Sequence, residues 1–118
     1  MTISITTENN NNAFQPGTEV NGSVSWSLPK EPKRVTVSLM WRTEGKGTQD
    51  TEVADSMDFE VYNKVGEEKF SFTLPIAPYS CSGQLISICW ALEAFIKSGN
   101  DECRYDLIIA PNAEEVSL

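Results

Sequence analysis

Alternation with a period of two runs through most of this chain and limits what it can fold into. Val35, Val37, Leu39 and Trp41 alternate with Thr36, Ser38, Met40 and Arg42. Val20, Gly22, Val24, Trp26 and Leu28 alternate with Asn21, Ser23, Ser25 and Ser27, and Phe70, Phe72 and Leu74 with Lys69, Ser71 and Thr73. Val53, Asp55, Met57, Phe59 and Val61 share one side of a further run, and Ile3 and Ile5 begin a short first one. Successive side chains of a strand point to opposite faces, so such runs bury one face and wet the other. Turn chemistry bounds them: asparagines at 9–12, Pro16-Gly17, prolines at 29 and 32, Gly45-Lys46-Gly47, and the stretches 63–66 and 75–83. About seven strands at this spacing predict an all-β chain folded as an antiparallel sandwich. Residues 91–96 have helical propensity, but the β-rich stretch 86–90 leads into them and tertiary context overrides propensity.

The last hairpin carries its own register. Folding back about 97–100 pairs Ile96 with Asp101, Leu92 with Tyr105, Trp90 with Leu107 and Ile88 with Ile109. Directly opposed residues share a face, so the apolar set Trp90, Leu92, Leu107 and Ile109 turns inward together. Cys103, opposite Ala94, faces in; Cys89, opposite Ile108, faces out. A disulfide between them would have to cross the sheet. Asp55 breaks the apolar side of its run and marks either a bulge or a strand break.

At 118 residues the chain is expected to be one domain over 1–111, large enough for a core, with an acidic tail at 112–118. Nine Lys and Arg against 17 Asp and Glu give a net charge of −8, which phosphate backbones repel, so no nucleic acid partner is expected. Lys30, Lys33, Arg34, Arg42 and Lys46 read as solvated strand ends. No apolar run approaches the roughly 20 residues of a membrane span. The first residues lack the basic and apolar regions of a signal peptide. Cys81, Cys89 and Cys103 are odd in number and irregular in spacing, which points to reduced thiols and a cytoplasmic location.

The chain has no histidine, which excludes histidine triads and histidine metal sites. Three thiols without a fourth ligand at finger spacing make a poor zinc site. Asp50, Glu52, Asp55, Asp58 and Glu60 lie along a strand rather than in a loop. Glu52, Asp58 and Glu60 fall on one face and Asp55 on the other, which reads as a solvated face and not a calcium site. Gly45-Lys46-Gly47-Thr48 lacks the spacing and following helix of a phosphate loop. Cys81, the one thiol in a predicted loop, has no evident activating base. No catalytic residue, metal ligand or cofactor is assigned, and the chain is not expected to be an enzyme.

Two stretches carry a family resemblance. Residues 74–94, LPIAPYSCSGQLISICWALEA, and 16–24, PGTEVNGSV, together resemble the arrestin-like sandwich domains, which include arrestins, Vps26-type retromer subunits and bacterial sporulation-control proteins. The shared patterns are a PYS-x-x-G turn before an alternating strand, and PG-x-x-V-x-G-x-V. The resemblance implies an immunoglobulin-like β-sandwich and non-catalytic scaffolding. This chain has room for one such domain where arrestins have two, and it lacks a complete PPxY motif.

The outer face of the last hairpin is the candidate interaction surface. Leu85, Cys89 and Ala91 point outward on one strand, Ile108 and Ala110 lie beside them, and Met40 joins from a neighbouring strand. This half-apolar surface suits a protein partner or self-association. The alternative function is a small-molecule or carbohydrate-binding sandwich module, suggested by Trp26, Trp41 and Trp90. Sugar stacking needs exposed aromatic rings, whereas the alternation turns all three inward.

Overall fold

The alternating runs form two packed sheets in the computed structural model, which describes residues 2–30, 32, 34–45, 48–61, 63–76, 78, 80–82, 86–96, 101–111 and 116–117. The strands are β1 (Thr2–Thr7), β2 (Ala13–Phe14), β3 (Glu19–Ser27), β4 (Arg34–Gly45), β5 (Thr48–Glu60), β6 (Val65–Thr73), β7 (Cys81–Ser82), β8 (Ile86–Ile96), β9 (Asp101–Ile109) and β10 (Val116–Ser117). Among the described residues seven strands have six residues or more and three have two, and no α-helix is present. Pro75 and Pro78 lie between β6 and β7, where no ladder N–H is needed.

The first sheet runs β1-β3-β6, antiparallel throughout. In the second, β4 is flanked by β5 and β8. The far side of β8 is shared: β9 takes its C-terminal part and β7 pairs at Ile88. Two short pairings are parallel, β2 along β9 and β10 along β7, each over two residues. Val116 and Ser117 of the expected tail therefore lie beside Cys81 and Ser82. Cys81, expected in a loop, is a buried residue of β7.

The inner faces are the alternating apolar positions. Val20 and Val24 from the first sheet meet Val35, Val37, Leu39, Leu92 and Ile96 from the second, all fully buried. Each such side chain contributes roughly 1.5–3 kcal/mol of hydrophobic stabilisation. Trp90 is buried in this core and its indole N–H donates to the Pro78 carbonyl at 3.0 Å; Trp26 donates to the Asn63 carbonyl at 2.9 Å. Trp41 packs against the core with its ring 6.3 Å from that of Trp90. A hydroxyl pair, Thr7 Oγ1 and Tyr105 Oη at 3.1 Å, ties the two sheets together at one end.

Two glycines have steric reasons. Gly17 follows Pro16 with φ +79°, and its N–H donates to the Leu74 carbonyl while Thr18 N–H reaches back to Gln15. This is a turn that demands a left-handed residue after proline. Gly22 faces Phe70 across the sheet, and a Cβ there would stand 2.6 Å from the ring. The absent side chain is the space the ring fills.

The register of the last hairpin holds from Ile96↔Asp101 to Trp90↔Leu107 and then stops. The expected pairs Ile88 with Ile109 and Cys89 with Ile108 do not form. Ser80 replaces them: its N–H donates to the Ile109 carbonyl at 2.7 Å, and its Oγ accepts the Ile109 N–H at 2.9 Å. Ile88 pairs instead with Cys81. On the other side of β9, Ile108 and Ala110 N–H groups donate to Asn12 and Phe14 carbonyls. The turn at 97–100, together with Leu85 and Gly83, lies outside the described residues.

Of the two readings of Asp55, the bulge is the one observed. Leu39 pairs with Asp55 but Met40 pairs with Val53, leaving Ala54 as the extra residue on β5. The slip exchanges the faces of everything before it. Val53 therefore joins the outer face opposite Met40, and Glu52 moves to the same side as Asp55, opposite Trp41. The expectation that Glu52 shares a face with Asp58 is corrected by this one residue.

Candidate interaction surface

The outer face of the β5-β4-β8-β9 sheet is where the half-apolar candidates meet. One cross-strand row runs Val53, Met40, Ala91, Asp106; the row beside it brings Thr51, Arg42 and Cys89 together. Met40, Cys89 and Ala91 line a depression of about 200 Å³ whose other walls include Arg42, Glu93 and Arg104. Cys89 and Ile108 line a second, of about 220 Å³, with Ile88 and Asp106. Arg42 and Cys89 border both, so the two form one furrowed surface.

The predicted residues divide by exposure. Met40, Cys89 and Ile108 are half-buried and offer surface. Ala91 is only 2% exposed and Ala110 is fully buried, so neither is a contact residue in its own right. Alternation says which side a residue faces, not what stands around it. Ala91 is a short side chain on the floor between Met40, Arg42, Glu93 and Arg104, and Ala110 is tucked beside β2 through its bond to Phe14. Leu85 lies outside the described residues. Val53, 58% exposed, is the member that alternation misses, because strict period two puts it on the same side as Asp55, Met57 and Phe59. The out-of-place Asp55 was itself the signal of the slip.

Charge frames the surface. Arg42 Nε donates to Glu44 Oε1 at 2.7 Å and Arg104 Nε to Asp106 Oδ1 at 2.9 Å, each pair lying along its own strand. Exposed pairs of this kind add little stability, but they hold the guanidinium planes along the furrow. The Glu93 carboxyl sits above its ordinary value, first because it is partly desolvated and then because Glu102 is near; Arg42 opposes the shift. On the opposite face, burial pushes the Cys103 thiol up, against a backbone hydrogen bond from Ala94 and with help from Glu93. A raised thiol is a poor nucleophile at neutral pH. Cys89 and Cys103 lie on opposite faces of the sheet, opposite Arg42 and Ala94 respectively. Among the described residues no group of three His, Cys, Asp or Glu side chains is placed to hold a metal ion, and no helix is long and apolar enough to cross a membrane.

No protein-family model matches the sequence, and no curated protein matches it. Among solved structures the chain is similar to the sporulation control protein Spo0M from Bacillus subtilis, with a TM-score of 0.62 and 19% identity. The match covers 92% of this chain and 48% of that one, so the chain spans about half the length of that relative. The likeness shows the fold: the two sheets form an arrestin-like β-sandwich.

Proposed function

We propose that this arrestin-like domain is a cytoplasmic, non-catalytic protein-interaction module that binds through the outer face of its β5-β4-β8-β9 sheet. The observation that carries the reading is the furrow itself. Met40, Cys89 and Ile108 are partly open to solvent across three strands and Val53 extends the patch on a fourth, inside a frame of Arg42, Glu93, Arg104 and Asp106. Apolar centre and charged rim is the anatomy of a protein interface. The sugar-binding alternative loses its platform, since Trp26 and Trp90 are buried and Trp41 packs against the core.

Light scattering on a size-exclusion column, run on the native protein and on Cys89→Glu, tests the reading. A native dimer converted to monomer by the substitution supports self-association through this face. If both are monomers, capture from a lysate follows, and Cys89→Glu is expected to lose the partner that the native chain retains. The module reading fails if the native chain neither self-associates nor retains any protein above a scrambled-sequence control.

A further inference from the structure

A second surface lies at the side of the same sheet. Among the described residues β5 pairs only with β4, so a strand of 13 residues ends the sheet. An edge of that length presents a row of backbone N–H and C=O groups that another extended chain can pair with. The bulge at Ala54 divides it into two six-residue stretches, 48–53 and 55–60. The exposed carboxylates of Asp50, Glu52, Asp55 and Asp58 stand along it. Like charges placed opposite one another destabilise a strand pair, so this edge opposes pairing with a second copy of itself. The same charges favour an oppositely charged strand, and the chain's net charge of −8 attracts one from a distance.

We propose that the outer edge of β5 accepts an extended, lysine- or arginine-rich peptide segment as an added strand. The inference rests on the interaction-module reading but uses the backbone edge of β5 at 55–60, beyond the bulge from Thr51 and Val53, which belong to the furrow. The bulge also dictates a pattern. Asp55 lies opposite Leu39 on the sandwich side and Asp58 opposite Thr36 on the outer side, where the Thr36 hydroxyl donates to it at 2.6 Å. A strand laid along 55–60 meets both carboxylates with basic residues three positions apart, one on each face.

Fluorescence anisotropy with three labelled probes tests this. The first is an eight-residue peptide of lysine, threonine and valine with lysine at every third position. The second replaces lysine by glutamate, and the third keeps the lysines but places proline at two adjacent central positions. The first is expected to bind and to protect amides within 55–60 from hydrogen exchange. The other two, and the first on the Asp55→Asn/Asp58→Asn double variant, are expected to bind roughly tenfold more weakly. Cys89→Glu is expected to leave the first peptide's affinity unchanged, so loss of this proposal and loss of the furrow reading are separable. Equal binding of the proline peptide would reduce the effect to unspecific charge attraction and overturn the proposal. So would absence of binding, protection on another strand, or a β5–β5 dimer of the chain alone.

Discussion

Ser80→Ala removes one oxygen and tests how β8 and β9 are parted. In the native chain Ser80 is buried and its hydroxyl is the acceptor for the Ile109 N–H, at 2.9 Å. The carbonyl that the ladder would otherwise supply is absent, because pairing between β8 and β9 ends at Trp90↔Leu107. Alanine leaves that N–H buried without an acceptor. The volume lost is a single oxygen, so the cavity contribution is small, and the cost is the orphaned donor, about 1–3 kcal/mol. With a urea dependence of about 2 kcal/mol per M for a domain of this size, the midpoint falls by about 0.5–1.5 M. Urea unfolding followed by the fluorescence of buried Trp26 and Trp90 reads the midpoint, and amide exchange reads the Ile109 N–H directly. Ser25→Ala, which removes only an exposed hydroxyl pair with Ser4, is the control and shifts stability by no more than about 0.5 kcal/mol. If Ser80→Ala is as mild as Ser25→Ala and Ile109 keeps its protection, Ser80 is not what terminates the ladder.

Gly22→Ala forces a Cβ against the Phe70 ring and the Thr6 carbonyl, and is expected to cost at least about 1–3 kcal/mol, measured by thermal unfolding. Leu92→Ala, at a fully buried position, is expected to cost about 2–5 kcal/mol in the same assay. Glu93 has a raised folded-state pKa, so its charged form is less favourable in the folded chain than in the unfolded one. Its contribution to stability therefore falls as pH rises from the ordinary carboxylate range through the raised value. Glu93→Gln is accordingly expected to be more stable than the native chain at pH 7, with the difference vanishing in acid; equal stability at both pH values would contradict the assignment. Cys103, pushed up by burial, is expected to alkylate with iodoacetamide about tenfold more slowly than an unstructured peptide thiol at pH 8, as read by peptide mass mapping.

The parts of the fold visible in the amino-acid order are those governed by alternation. Val35 to Trp41 and Trp90 to Ile96 face as their period dictates, and hydrogen-bonded neighbours then enforce the register. What alternation does not contain is any departure from period two. The bulge at Ala54 turns Val53 outward and Glu52 toward the sandwich side, and only the misplaced Asp55 betrays it. Ser80 is harder to read, because its role depends on where a segment distant from β9 in sequence comes to rest. The candidate surface shows the same division. The sides taken by Met40, Cys89 and Ile108 follow from strand periodicity, whereas the burial of Ala91 and Ala110 depends on longer neighbours and on β2. The two-residue strands β2, β7 and β10 have no periodic signal at all, being too short to show one.

The proposed meeting place of this chain with another protein is the furrow around Met40. A photo-crosslinking side chain installed at Met40, with Ser71 on the exposed outer face of the other sheet as control, tests it in cells expressing the chain. A discrete adduct, to a second copy or to a different protein, is expected from position 40 and none from position 71. Equal labelling from both positions, or none from either, would contradict it.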